Sequence, residues 1–137
     1  MKAVIMPRPN GSELGPLTEW AAEYMIPVVN KPIVAHTIEL LYRHNVKSVL
    51  MGLNHEPYDT EQYYQDGKRW GVEISYELLG ENASLGKQLQ RIRSRLDEPF
   101  LCIMGNTITN IDLTTLIDMH RSSASMITLG VCYPDAE

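Results

Sequence analysis

The sequence predicts a three-layer α/β/α domain built on a mainly parallel sheet. Short apolar runs alternate from end to end with segments whose apolar residues recur at helical spacing, a pattern that needs right-handed crossovers between parallel strands. The 137 residues carry 44% hydrophobic side chains, enough for one continuous core. No internal repeat, low-complexity tract or linker-like stretch divides the sequence, so residues 1–137 read as a single domain.

Ala3, Val4, Ile5 and Met6 make the first strand, apolar and partly β-branched. A loop runs from there to Thr18. Residues 25–29 are extended, and Asn30, Lys31 and Pro32 form a turn that places Pro32 just inside a helix, where its missing N–H costs nothing. This helix reaches His44, with Ile33, Thr37, Leu40, Leu41 and His44 at helical spacing. Residues 46–53 are the second strand. After a loop to Tyr58, Asp59 with Gln62 three positions on makes a capping-box pattern for a helix ending near Gly67. Residues 72–78 alternate apolar and polar, the signature of a strand with one covered face. Beyond a loop at 80–84, a helix over 85–96 buries Leu85, Leu89, Ile92 and Leu96. Phe100 to Met104 are continuously apolar, which predicts a central strand buried on both faces. Asp112 caps a helix carrying Leu113, Leu116, Ile117 and His120, and residues 126–132 form the last strand.

Composition excludes several classes of function. The net charge is −5 and no basic stripe appears, which argues against nucleic-acid binding. Lys68 with Arg69, and Arg91, Arg93 and Arg95, are the densest basic spots, and the second group reads as a solvated helix face. Cys102 and Cys132 lie in strand-like runs and read as buried thiols, without a disulfide or zinc framework. His36, His44, His55 and His120 lack partners at metal-ligand spacing. Only four apolar residues separate Lys2 from Pro7, too few for a signal peptide, and no run approaches transmembrane length. The expectation is a soluble, cytoplasmic protein with no membrane or nucleic-acid partner.

The segment from Pro7 to Thr18 is the most informative. A loop after the first strand of such a sheet lies where ligands bind, and backbone N–H groups in a glycine-rich turn would grip an anion there. Here Pro7 and Pro9 supply no N–H, and Glu13 adds a negative charge. Gly105 and Asn106 follow a second long apolar strand, so a site would join them to this loop.

The segments 2–6, 16–18, 25–33, 71–76 and 109–113 together resemble the N-terminal half of the sugar-nucleotide pyrophosphorylases, a nucleotidyltransferase family that includes mannose-1-phosphate guanylyltransferases and glucose-1-phosphate nucleotidyltransferases. The resemblance runs from Met1 to about Val131 and implies a truncated, Rossmann-like nucleotide-diphospho-sugar transferase fold. It also implies a reaction in which a sugar 1-phosphate attacks the α-phosphorus of a nucleoside triphosphate and releases pyrophosphate. Three family elements carry that reaction: a Gly-Gly-x-Gly-Thr-Arg-Leu loop, a lysine in a Pro-Lys-Pro segment, and a magnesium-binding aspartate in a Gly-Asp pair. Their work is positioning and charge neutralisation.

This chain departs from all three. Arg8 and Pro9 replace the glycine pair, Gly11 and Ser12 keep the Gly-Thr step, and Glu13 takes the arginine position. Ala22, Glu23 and Tyr24 match the Pro-Lys-Pro segment, so Glu23 stands for the lysine, and Asn106 stands for the aspartate. A later Leu-Gly-Thr-Ala-Gly segment, which approaches the base, reads Leu85, Gly86, Lys87, Gln88 and Leu89. Two cations turned into two anions are a swing of about four charges, and one misplaced unit charge at ~4 Å costs about 4 kcal/mol at an effective dielectric of 20.

No catalytic residue of the family is therefore intact at Glu13, Glu23 and Asn106. Arg8, Gly11, Ser12, Gly86, Lys87 and Gly105 are the nucleotide-binding candidates. Glu13, Glu19 and Glu23 either form a new acidic site with Asn106 or stay solvated or paired with Arg8. Lys87 either replaces the lost cation or is solvated in a first helical turn. The aromatic residues Tyr58, Tyr63, Tyr64 and Trp70 serve the core or a protein-binding patch. The resulting expectation is a catalytically impaired nucleotidyltransferase-like domain acting as a binding, regulatory or assembly module. No cofactor is expected, with Mg²⁺ only where nucleotide binding survives. Partners would be a homologous subunit, another protein or a second copy docked through a sheet edge or helix face. The alternatives are an active enzyme with a remodelled loop and a nucleotide sensor without turnover.

Overall fold

The first strand is deeply buried. In the computed structural model, which describes residues 1–8, 15–18, 21–54, 58–80 and 83–131, Ala3, Val4, Ile5 and Met6 of β1 (Lys2–Met6) are each at most 2% exposed. β1 pairs in parallel with β4 (Ser48–Leu53) on one side and β6 (Phe100–Met104) on the other. β5 (Glu73–Leu78) lies beyond β4, also parallel, giving the order β5-β4-β1-β6. A small antiparallel hairpin, β2 (Pro27–Val28) with β3 (Lys31–Pro32), stands apart from this sheet.

Side-chain alternation along β1 divides the core in two. Ala3 and Ile5, with Val49, Met51, Leu53 and Ile74, pack with Val34, Ile38 and Leu41 of α1 (Ile33–Arg43) and Leu113 of α4 (Leu113–Ser122). Val4 and Met6 face the other way, onto Leu50, Leu79 and Ile92 of α3 (Leu85–Ile92). Each fully buried Val, Leu, Ile or Met among them contributes about 1.5–3 kcal/mol. A short helix, α2 (Tyr58–Tyr64), buries Tyr64 in the first of these clusters. The parallel α/β architecture is the expected one.

Several local expectations need correction. The tight turn is at Val29 and Asn30, both at positive φ (51° and 63°), so Lys31 and Pro32 are strand and Pro32 precedes the helix as its N-cap. Two positive φ values are what a two-residue hairpin demands, and β-branched Val29 meets that demand only under strain. Asp59 lies inside the first turn of α2 and is not its cap. α3 stops at Ile92 and tightens into a 3₁₀ turn at Arg93–Arg95. Leu85 is exposed, and Gln88 is fully buried among described residues that give its amide no partner.

The arginines of this region are not merely solvated. Arg91 donates to the Leu79 carbonyl, and Arg95 donates to Tyr76 O at 3.1 Å and to Glu77 at 2.9 Å, tying α3 to β5. Two strand expectations also fail. Among the described residues β6 pairs with β1 alone, so it is an edge strand with Cys102 exposed, not a central strand hiding a buried thiol. Residues 126–131 are not a strand; Met126, Ile127, Leu129 and Val131 are at least 74% exposed. A strand needs a neighbour to satisfy its backbone, and no described strand lies beside this segment. Cys132 is outside the described residues.

Candidate functional site

The carboxyl ends of β1 and β6 converge on a 3₁₀ turn at Glu23–Met25. β1 delivers Pro7 and Arg8, β6 delivers Gly105 and Asn106, and the Gly105 N–H closes onto Met6 O at 2.8 Å. A Cβ at position 105 would lie 3.2 Å from Ile5 Cγ2 and 3.4 Å from both Met6 O and Tyr24 Cβ. Glycine is thus what lets strand end and turn approach. Two residues on, the loop is held from the α1 side, where the buried Thr37 hydroxyl donates to Thr107 O at 3.3 Å.

Glu23 is the centre of the arrangement. Its side chain is 12% exposed, and a carboxylate so placed needs polar partners. The Asn106 amide donates to Glu23 Oε1 at 3.2 Å, and the Arg8 guanidinium stands 3.9 Å from the same oxygen. Glu23 thus lies beside both Asn106 and Arg8, while Glu13 and Glu19 of the acidic-site reading lie outside the described residues. Behind it, Tyr24 is buried with its hydroxyl bonded to Thr60, and burial pushes the phenol pKa up.

Magnesium, which the family resemblance implies, does not fit these groups. A hard cation wants several anionic or carbonyl oxygens. Here one carboxylate is already balanced by a guanidinium, and Asn106 turns its N–H toward it. Among the described residues no group of three or more His, Cys, Asp or Glu side chains could hold a metal.

The structure thus joins Arg8, Glu23 and Asn106, with Gly105 beside them. It does not join Gly86 and Lys87 to them: both are exposed in the first turn of α3, where the Lys87 N–H is capped by Ser84 Oγ at 3.5 Å. A Cβ at Gly86 would meet nothing within 4 Å, so no close approach requires glycine there. Gly11, Ser12, Glu13 and Glu19 lie outside the described residues.

Sequence reasoning missed Asn54. Its amide donates to Arg8 O at 3.1 Å, fixing the backbone of that arginine, while its own Oδ1 is buried without a partner among the described residues. The signal available was position: Asn54 is the first polar residue after the apolar end of β4. Of the aromatic group, Tyr63, Tyr64 and Trp70 pack edge-to-face or tilted with centroids 4.8–6.0 Å apart, and Arg69 covers Tyr63 and Trp70; the Tyr58 side chain lies outside the described residues. Among the described residues no helix is long and apolar enough to cross a membrane.

A family model described as nucleotidyl transferase matches residues 2–137. The chain is 29% identical over 141 aligned positions to a UTP–glucose-1-phosphate uridylyltransferase of Synechocystis, covering 94% of this chain and 36% of that one. It is 26% identical to a mannose-1-phosphate guanylyltransferase of Mycobacterium tuberculosis, over 93% of this chain and 36% of the relative. A solved UDP-glucose pyrophosphorylase from Acinetobacter baumanii superposes with a TM-score of 0.69 at 14% identity, over 90% of this chain and 53% of that one. At that identity the likeness speaks to fold alone. The chain spans just over a third of the length of these two curated relatives.

Proposed function

The chain belongs to the nucleotidyl transferase family, and from that premise we propose that it is a family domain that no longer transfers nucleotides and serves as a binding or assembly module. One observation carries the reading. Where the family resemblance puts a phosphate-binding lysine and a metal-binding aspartate, this chain has Glu23 and Asn106, hydrogen-bonded to each other. The nearby cation, Arg8, lies 3.9 Å from Glu23, so its charge is shared with a carboxylate before any phosphate arrives.

Phosphoryl-group chemistry depends on positive charge matched to the transferring phosphate, and losing one such cation costs about 10³–10⁵ in rate. A carboxylate in its place adds repulsion of about 4 kcal/mol at ~4 Å and an effective dielectric of 20. Neither loss is offset by a second cation from α3, since Lys87 makes no contact with this group among the described residues.

A second reading keeps the family reaction, and the relatives favour it, because those matched are named as sugar-1-phosphate nucleotidyltransferases. In that case residues outside the described set would supply the missing charge. Pyrophosphate release separates the two. The protein is incubated with each nucleoside triphosphate, Mg²⁺ and glucose or mannose 1-phosphate. The first reading expects release at the no-enzyme rate, and turnover that scales with protein concentration would establish the second.

A further inference from the structure

We infer that α1 staples the 107–114 segment at two points, one permanent and one operated by a proton. His44, at the end of α1, holds the first turn of α4 through a neutral imidazole, and protonation of that ring releases the turn and loosens the loop that carries Asn106. The device works in the same way whether or not the cleft is catalytic.

Thr37 and His44 stand seven positions apart, two turns and about 10 Å along one face of α1. Their partners, Thr107 and Thr114, are also seven positions apart. The Thr37 hydroxyl donates to Thr107 O at 3.3 Å, and the Thr114 N–H donates to His44 Nδ1 at 3.3 Å. One helix face thus grips both ends of the segment that leads from Asn106 into α4.

The two anchors differ in chemistry. The Thr37 hydroxyl does not titrate, whereas the imidazole does. A backbone N–H can only donate, so Nδ1 presents its lone pair and the neutral ring carries its hydrogen on Nε2. The Thr114 hydroxyl donates to the same nitrogen at 2.9 Å. His44 therefore serves a first-turn N–H that has no partner within its own helix. Beside it, the Asp112 carboxylate takes the Thr115 N–H and hydroxyl.

Protonation puts a hydrogen on Nδ1. The Thr114 N–H then loses its acceptor, and a positive charge stands at a helix N-terminus, where the macrodipole opposes it. The charged groups around the ring are Asp112, Asp118 and Arg121 on the α4 side, the Met1 amino group, and Arg43 in α1. Asp118 and Arg121 face each other at 3.8 Å, and Arg43 turns its Nε–H back to Glu39 O at 3.4 Å. Asp112, with Oδ1 3.6 Å from Nδ1, is the carboxylate placed to receive the imidazolium. The Thr115 donors hold that carboxyl below its ordinary range, so it is anionic wherever imidazoles titrate. The protonated ring thus exchanges its hold on the α4 backbone for an ion pair. With Thr37 as the remaining anchor, the loop loosens and the Asn106–Glu23 contact weakens as pH falls.

Nitrogen-15 NMR and amide exchange of the intact chain, from about pH 8 to about pH 5.5, test this above the ordinary carboxylate range. Two-bond ring correlations should show His44 Nδ1 unprotonated at the upper end. Relative to intrinsic rates, Thr114 amide protection should fall about three- to tenfold as the ring titrates, which is the loss of one hydrogen bond. The Asn106 side-chain amide should shift along the same curve. His44→Gln offers an acceptor that does not titrate, so it should keep Thr114 protected and abolish both pH dependences. Thr37→Val should leave the Thr114 dependence in place. A hydrogen on Nδ1 at the upper pH, Thr114 protection that ignores pH, or a dependence that survives His44→Gln overturns the proposal. An Asn106 signal that does not follow the His44 titration rejects the link to the cleft. Should a variant fail to fold by circular dichroism, the tautomer and titration of the unmodified chain decide.

Discussion

The side-chain amide of Asn106 donates to the Glu23 carboxylate at 3.2 Å, joining the loop after β6 to a 3₁₀ turn 83 residues earlier. Both residues stand where the family resemblance expects groups that handle phosphate and metal. In this chain they satisfy each other, and a hydrogen bond to a charged acceptor contributes about 1.5–3 kcal/mol.

That contact should be measurable as a coupling energy. Glu23→Ala, Asn106→Ala and the double variant, compared by urea unfolding, should give a coupling of about 1–3 kcal/mol. A coupling below about 0.3 kcal/mol would mean that the two side chains are neighbours without being partners.

Gln88 is fully buried, and among the described residues neither its amide oxygen nor its amide nitrogen has a hydrogen-bond partner. Methionine has similar length and no group to leave unsatisfied, so Gln88→Met should stabilise the fold by about 1–3 kcal/mol in the same unfolding assay. A loss of stability would show that the amide is satisfied in solution.

Tyr76 contributes to the alkaline limit. Burial, then the Glu61 and Asp66 carboxylates, push its pKa from 10.0 up to about 12, and its hydroxyl donates to Gln65 O at 2.7 Å. A folded pKa above the unfolded one favours the protonated native state. Its contribution is therefore complete below pH 10 and is lost as pH rises toward 12. Tyr76→Phe should remove a late-titrating part of the tyrosinate absorbance in that window and flatten the fall in stability. An unchanged titration curve would place the perturbed phenol elsewhere.

Much of this fold was legible in the sequence because its elements declare themselves locally. The burial period of α1, the alternation of β5 and the Asp112 cap, whose carboxylate receives the Thr115 N–H, need no tertiary information. What failed depended on neighbours. Phe100–Met104 has the same apolar composition whether it is covered on one side or two, and residues 126–131 have strand composition without a described strand to pair with. The site divided in the same way. Asn106 stood out by its place after an apolar strand, but Glu23 only through the family resemblance, since no local pattern connects positions 83 apart. Asn54 carries no motif, and its role comes entirely from lying next to the Arg8 carbonyl.

On the proposed function, the cleft has lost its grip on phosphate. Titration calorimetry of the intact chain with each nucleoside triphosphate and Mg²⁺ tests it most directly. The account predicts no saturable heat below about 1 mM nucleotide, which corresponds to less than about 4 kcal/mol of binding free energy. A micromolar dissociation constant for any of them, weakened by Arg8→Ala, would contradict it.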